Sequence, residues 1–260
     1  MKQLPNIFTL INLFSGCLAI VFALQLDVSF MYQLEGQPIM QNIQASLWMA
    51  SIFIGISAIV DFLDGFLARL MKVPSEMGKQ LDSLSDVVSF GVAPGIILYQ
   101  LLRMSVIKET DAVEASMGWA YAAFLVPCFA AWRLAKFNID TRQTYGFRGV
   151  PTPAIGVLVA SLPLILYYDY FDGAVTALLL NKWVLYLVIA MLCYLMVADI
   201  PILGLKFKDY SVKNNIPKII LLAVAAIAAF TLGWLAVPAV FIVYIILSLA
   251  LREPQNLQSK

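Results

Sequence analysis

The chain has 260 residues, of which 62% are hydrophobic and 13% are charged. Soluble domains are typically about half apolar and about a quarter charged, so this composition excludes a soluble domain, a fibre and a disordered chain. The formal net charge of +1 gives no reason to expect a nucleic-acid partner, and the absence of histidine excludes histidine-based catalysis and histidine-ligated metals.

Eight apolar stretches approach the roughly 20 residues that a membrane-spanning helix needs. In chain order they are residues 7–30, 45–71, 84–102, 119–137, 153–170, 183–205, 216–232 and 234–251. The first could be mistaken for a signal peptide, but a single lysine precedes it and the apolar run continues past Cys17, so we interpret it as a retained span. The last two form either a tight hairpin or one long helix broken at Gly233. The sequence therefore predicts an all-α, polytopic membrane bundle of about eight transmembrane helices.

The basic residues divide unevenly between the two ends of these spans. Fourteen of the seventeen Lys and Arg residues fall on the side that carries both termini, and only Arg103, Lys108 and Lys182 fall on the other. Because basic residues accumulate on the cytoplasmic side of membrane proteins, both termini are expected in the cytoplasm.

Four acidic residues interrupt the second and third spans: Asp61, Asp64, Asp82 and Asp86. The members of each pair are three or four residues apart, which places them on one face of a helix. A short turn at residues 73–77 joins the two spans, so the helices are antiparallel neighbours whose acidic faces can meet. Ionisable residues inside a membrane are costly and indicate a functional site.

Four converging carboxylates would repel one another strongly unless cations lay between them. All-oxygen ligands favour Mg²⁺, Mn²⁺ or Ca²⁺ over zinc, and paired metals act on phosphoryl groups. Gly65 and Ala68 leave space on the same helical face, and Arg69 offers a planar fork for a phosphate. Membrane-buried ion pairs and the ion path of a transporter are the alternative interpretations.

Residues 61–86 fit the pattern D-x2-D-G-x2-A-R-x8-G-x3-D-x3-D at all eight fixed positions, which is the signature of the CDP-alcohol phosphotransferases. This resemblance implies a six-span core around a dinuclear metal site, at which an alcohol displaces CMP from a CDP-linked lipid. It also implies a homodimer. The core would be residues 1–205, and residues 206–260 would be an additional transmembrane hairpin and cytoplasmic tail of the same membrane domain.

The resemblance also implies roles for individual residues. Asp61, Asp64 and Asp82 resemble the ligands of two Mg²⁺ or Mn²⁺ ions, and Asp86 resembles a ligand that is also the general base. The residues that resemble the CDP-lipid site are Gly65, Ala68, Arg69 and Gly78, with Asn6 and Thr9 of a P-N-x-x-T segment. For Asn6, a helix-capping role is an equal alternative.

Three further blocks, at residues 83–94, 133–138 and 147–153, resemble the integral-membrane phosphatidylserine synthases within this family. They imply that CDP-diacylglycerol and L-serine are the substrates. The second span runs inward and the third outward, so the acidic residues are expected near the cytoplasmic face of the cell inner membrane. Arg133, Asn138 and Arg148 would bind serine or phosphate, although the basic residues could instead be topology signals and Asn138 a helix cap. Lys136 stands where the family usually has arginine, so a two-point contact is not expected there. Glycerol 3-phosphate and inositol are the alternative acceptors.

Overall fold

A computed structural model describes residues 4–25, 39–71, 76–107, 117–139, 147–168, 170–171, 173–202 and 212–250. The α-helices within these ranges are α1 (Leu4–Leu24), α2 (Ile39–Met71), α3 (Glu76–Asp86), α4 (Ala93–Ile107), α5 (Leu125–Ile139), α6 (Thr152–Tyr168), α7 (Ala174–Leu179), α8 (Lys182–Val197), α9 (Val212–Leu232) and α10 (Ala236–Ala250). A π-helical turn, Val87–Val92, joins α3 to α4. Short 3₁₀ helices, Met117–Phe124 and Gly233–Leu235, precede α5 and α10.

The predicted class, a polytopic helical membrane protein, is confirmed. Over the described residues, five helical segments are long and apolar enough to cross a membrane: Pro5–Leu24, Ser46–Leu67, Glu76–Ser105, Gly118–Ile139 and Lys218–Ala250. The helices Thr152–Tyr168 and Lys182–Val197 are apolar but shorter. Gly233, at a φ of +55°, interrupts the last segment between α9 and α10, and these two helices contact each other.

The sixth predicted span was placed too far along the chain. It was expected to reach residue 205, but α8 ends at Val197 and the chain then forms a strand, β2 (Pro201–Ile202), because proline cannot continue a helix. This strand pairs antiparallel with β1 (Phe147–Arg148), a feature that the all-α prediction lacks. Gly149 follows β1 at a φ of +72°, and a Cβ there would lie 2.6 Å from the carbonyl oxygen of Met196. The backbone conformation and this close approach therefore require glycine.

The buried centre of the bundle is the π-helical turn and α4. Phe90, Ile97 and Leu101 are fully buried there, whereas Phe62 of α2 and Phe230 of α9 expose 67% and 94% of their surfaces. This distribution suits a membrane protein, in which large apolar side chains on the outer helices contact lipid rather than water.

Two glycines allow α1 and α6 to approach the π-helical turn closely. A Cβ on Gly16 of α1 would lie 2.3 Å from the Ser89 hydroxyl oxygen and 2.8 Å from its Cα, and a Cβ on Gly156 of α6 would lie 2.7 Å from a ring carbon of Phe90. π-Helical turns occur frequently at functional sites, and this one begins immediately after Asp86. The close packing therefore fixes the backbone next to the predicted general base.

We predict that Gly16→Ala destabilises the protein by about 1–3 kcal/mol, because the added methyl group collides with the Ser89 backbone and overpacks the core. The matched control is Gly55→Ala in α2, where a Cβ meets no atom within 4 Å and the substitution improves helix propensity. Thermal unfolding in detergent micelles measures the difference. Equal unfolding temperatures for the two variants would contradict the close approach of α1.

Candidate active site

Three of the four predicted aspartates converge on one site. Asp61 comes from α2, and Asp82 and Asp86 come from α3; one carboxylate oxygen of each lies within 4.8 Å of the others. Asp86 is 6% exposed, and the other two are half-buried. The i to i+4 spacing places both α3 carboxylates on one helical face, and this face meets the acidic face of α2, as predicted.

Asp64 lies beside this group rather than within it. Its side chain is 8% exposed, and its carboxylate accepts a hydrogen bond from the Thr9 hydroxyl of α1. It remains an electrostatic neighbour of Asp61 and Asp82. Carboxylates at metal sites are commonly oriented by such hydrogen bonds, so Thr9 contacts an acidic residue of the candidate centre.

Helix α1 holds the acidic helices in place through hydroxyl-to-carbonyl hydrogen bonds. The carbonyl oxygen of Asn12 accepts one from Ser57 of α2 at 3.1 Å and one from Ser89 of the π-helical turn at 3.0 Å. The carbonyl oxygen of Thr9 accepts a third from Ser85 of α3 at 3.1 Å. Such bonds between neighbouring helices satisfy polar groups within an apolar environment. The relative position of α2 and α3 therefore depends on α1.

Asn12 is a site residue that the sequence interpretation missed. Its side chain is fully buried, and its Nδ2 lies 3.5 Å from Oδ1 of Asp86, which is a long hydrogen bond. Its own Oδ1 has no hydrogen-bond partner among the described residues. The sequence feature that could have identified Asn12 is its position three residues after Thr9, on the same face of α1.

The carboxylate cluster suits a hard divalent cation. Mg²⁺ binds oxygen ligands at about 2.0–2.1 Å, which places opposite ligands about 4 Å apart, so only small side-chain movements would bring the three oxygens around an ion. The donor set is entirely carboxylate, which disfavours zinc. Like charges this close also repel, and a cation between them removes that repulsion.

The structure describes only some of the remaining side chains that were predicted to bind substrate. Three predicted site residues have side chains outside the described part of the chain: Ala68, Arg69 and Arg148. Gly65 is exposed, and a Cβ there would meet no atom within 4 Å. Gly78 is half-buried in the first turn of α3. Asn6 lies two residues inside α1, which does not match the helix-cap alternative.

Arg133 of α5 brings a buried positive charge to the cluster. It is 8% exposed and is an electrostatic neighbour of Asp86. One terminal nitrogen donates a 3.4 Å hydrogen bond to the carbonyl oxygen of Gly149, while Nε has no partner among the described residues. A buried guanidinium with an unused donor beside Asp86 can receive an anionic group.

The other basic and polar residues of this region have local partners. Asn138 donates a 2.8 Å hydrogen bond from Nδ2 to the Ser83 hydroxyl, and its carbonyl oxygen accepts one from Lys79, so it links α5 to α3. Lys136 forms a 3.7 Å ion pair with Asp199 in a cleft between the ends of α5 and α8. The Asn138 side chain thus contacts the residue that follows Asp82.

Residues 2–201 match the CDP-alcohol phosphatidyltransferase family. Among similar proteins, the Helicobacter pylori CDP-diacylglycerol–serine O-phosphatidyltransferase is 35% identical over 70% of this chain and 66% of its own length. The protein of the same name from Mycobacterium bovis is 30% identical over 94% of this chain and 76% of its own length. An archaetidylserine synthase from Methanothermobacter thermautotrophicus is 30% identical over 66% of this chain and 62% of its own length. The chain thus spans just under two thirds of the Helicobacter protein.

The family match covers both acidic helices and α1, and the chain belongs to the CDP-alcohol phosphatidyltransferase family.

Proposed function

We propose that the chain is a membrane enzyme that transfers the phosphatidyl group of CDP-diacylglycerol to the hydroxyl of L-serine, giving phosphatidylserine and CMP. The observation that carries this proposal is the convergence of Asp61, Asp82 and Asp86 from two neighbouring helices. The names of the relatives from Helicobacter and Mycobacterium support serine as the acceptor.

In the proposed reaction the serine hydroxyl oxygen bonds to the β-phosphorus, which carries diacylglycerol. The bond from that phosphorus to the bridging oxygen of the diphosphate breaks, and its electron pair leaves with CMP. Asp86 takes the hydroxyl proton, a role that suits a nearly buried carboxylate of the cluster. Asn12 of α1 would orient Asp86 through its hydrogen bond, and Arg133 of α5 is an electrostatic neighbour of the same carboxylate.

Asp61, Asp64, Asp82 and Asp86 would hold two Mg²⁺ or Mn²⁺ ions. When bound, these cations neutralise negative charge on the diphosphate and on the departing CMP. Thr9 fixes the carboxylate of Asp64 through its hydroxyl. The open surface at Gly65 gives the CDP moiety room to approach the helix. Ala68, Arg69 and Gly78 are proposed to bind the CDP-lipid from the family resemblance.

Arg133 is proposed to receive the carboxylate of serine. It is buried beside Asp86, it carries a full positive charge, and its Nε has no protein partner among the described residues. Arg148, on the strand next to Gly149, is proposed to add a second positive charge. Asn138 supports the same region by linking α5 to α3.

The proposed membrane arrangement has eight crossings, with both termini and the aspartate cluster on the cytoplasmic side of the inner membrane. The support is the distribution of basic residues between span ends, together with the break at Gly233 that divides the last apolar segment. A catalytic core of residues 1–205 followed by two added helices agrees with a family match that ends at residue 201. A homodimer is proposed from family resemblance.

We predict that the purified protein in lipid vesicles containing CDP-diacylglycerol releases CMP when L-serine is added. Release with glycerol 3-phosphate or inositol, each offered separately at the same concentration, should be at least about 100-fold slower, since these acceptors lack the zwitterionic head that the Arg133 region would bind. Faster release with either alcohol would reassign the acceptor. A protein that moves ions across the vesicle membrane but releases no CMP would be a transporter instead.

We predict that removal of divalent cations with excess EDTA abolishes CMP release and that Mg²⁺ or Mn²⁺ restores it. Asp82→Asn should lower release by at least about 100-fold, because even outer-sphere partners of a metal contribute about 10- to 100-fold. The matched control is Glu76→Gln, an exposed carboxylate on the same helix and outside the cluster. Unchanged turnover in EDTA would contradict the metal site.

We predict that Asp86→Asn lowers turnover by about 10²–10⁴-fold, the contribution expected of a general base, because the amide cannot take the serine proton. Binding of CDP-diacylglycerol, followed by equilibrium binding of a radiolabelled lipid, should weaken much less than turnover falls. Full activity of this variant would remove the general-base role from Asp86.

A further inference from the structure

Thr152, the first residue of α6, carries a buried polar atom that the proposed function does not use. Its side chain is fully buried, and its hydroxyl oxygen has no hydrogen-bond partner among the described residues. It does not cap its own helix, because the N–H groups of Ala154 and Ile155 donate to the carbonyl oxygen of Pro151 instead, at 3.1 and 3.3 Å. A buried hydroxyl without a partner is costly, so this one is suited to a ligand that enters the site.

The contacts of α6 place Thr152 at the depth of the aspartate cluster within the bundle. At the far end of α6, the ring of Tyr167 lies 6.0 Å from the ring of Trp48 in α2, while the middle of α6 packs against the π-helical turn. These two contacts make α6 antiparallel to α2. At 1.5 Å per residue, Asp61 lies about 20 Å along α2 from Trp48, and Thr152 lies about 20 Å along α6 from Tyr167.

Helices α1 and α6 present a polar residue at the same offset from a glycine. Both run antiparallel to α2, and Gly16 of α1 and Gly156 of α6 both pack closely against the π-helical turn. Asn12 lies one helical turn before Gly16, as Thr152 lies one turn before Gly156. The Nδ2 of Asn12 is 3.5 Å from Asp86, so the equivalent position on α6 is also at the depth of the predicted general base.

Helix α5 brings Arg133 to the same depth from a third direction. This helix runs antiparallel to α3 and the π-helical turn, because Asn138 donates to Ser83 at 2.8 Å and the Cβ of Ala130 lies 3.1 Å from the position of a Cβ on Gly91. Arg133 is three residues from Ala130 on the same helical face. It therefore lies opposite the segment between these two contacts, which includes the predicted general base.

Three buried polar atoms without partners among the described residues thus occur at one depth, and their hydrogen-bond character indicates the ligand. Nε of Arg133 is a charged donor that suits a carboxylate. The amide nitrogen of Asn12 already donates to Asp86, so its Oδ1 can only accept, and the Thr152 hydroxyl can accept as well. Neutral acceptors beside a cluster of carboxylates suit an ammonium group. An α-amino acid carries both groups on one carbon and matches all three atoms.

We infer that Thr152 is a substrate-binding residue: its hydroxyl accepts a hydrogen bond from the ammonium group of the amino-acid substrate, and Oδ1 of Asn12 offers a second acceptor to the same group. This inference rests on the proposed function and deepens it. The proposed function gives a partner to the carboxylate of serine, and Thr152 gives one to the group that distinguishes serine from an alcohol without an amine.

The test compares Thr152→Val, which replaces the hydroxyl with a methyl group, with Thr152→Ser, which keeps the hydroxyl. The matched control is Thr231→Val, an exposed threonine of α9 whose hydroxyl donates to the carbonyl oxygen of Ile227. The full-length enzyme, loaded with metal in vesicles, is assayed for CMP release over a range of serine concentrations. Thr152→Val should raise the KM for serine about tenfold or more, the range for a lost hydrogen bond to a charged group. Thr152→Ser should restore most of this loss, the KM for CDP-diacylglycerol should stay unchanged, and the control should match wild type.

A substrate analogue separates an ammonium contact from a general loss of structure. 3-Hydroxypropionate has the carboxylate and the hydroxyl of serine but no ammonium group, and its Ki as a competitor of serine is measurable whether or not it reacts. This Ki should be the same in the wild-type and Thr152→Val enzymes, because the analogue cannot make the deleted hydrogen bond. The ratio of this Ki to the KM for serine, which does not depend on the amount of folded enzyme, should therefore fall about tenfold or more in Thr152→Val.

An unchanged KM for serine in Thr152→Val, an equal rise in the Ki of 3-hydroxypropionate, or a Thr152→Ser enzyme as impaired as Thr152→Val would overturn the inference. A rise in the KM for CDP-diacylglycerol alone would assign the hydroxyl to the lipid diphosphate and would also overturn it. Failure of the proposed function is distinguishable, because the wild-type enzyme would then show no serine-dependent release of CMP.

Discussion

The mutual repulsion of carboxylates inside an apolar bundle is the constraint on which the rest of this structure depends. Three aspartates from two helices place oxygens within 4.8 Å of one another, and the side chain of Asp86 is only 6% exposed. Such an arrangement is stable only when cations lie among the oxygens, or when protons neutralise them. The family to which the chain belongs and the all-oxygen donor set both favour cations. We therefore interpret the acidic cluster as the metal-binding half of the active site.

Helix α1 supplies the framework that this centre requires. Hydroxyl groups of Ser57, Ser85 and Ser89, from three different segments, all donate to carbonyl oxygens of α1. Each bond is neutral, so none changes the charge of the cluster, yet together they limit how far the acidic helices can separate. Gly16 permits the close approach that brings the Ser89 hydroxyl to α1. Positioning by neutral groups around a charged centre is a consistent feature of the site.

Asp86 accepts a long hydrogen bond from the buried amide of Asn12, and the buried guanidinium of Arg133 is its electrostatic neighbour. The metal-binding half of the site is built from the segment that carries the family signature. In the proposed function, the acceptor half is built from α5 and the chain around Gly149, which would allow members of one family to share the chemistry while differing in the alcohol they use.

The sequence by itself determined the membrane class and the paired acidic faces, because hydropathy and i, i+3 or i+4 spacing are local properties of a helix. It also placed Asp82 and Asp86 opposite α2, since a short turn leaves antiparallel helices little choice. Only the tertiary structure decided that Asp64 turns to Thr9, that Asn12 reaches Asp86, that α8 stops before a strand pair and that Arg133 donates to the carbonyl oxygen of Gly149. These contacts join residues far apart in the chain. The sequence around each residue does not reveal its partner, because only the packing of whole helices brings the two together.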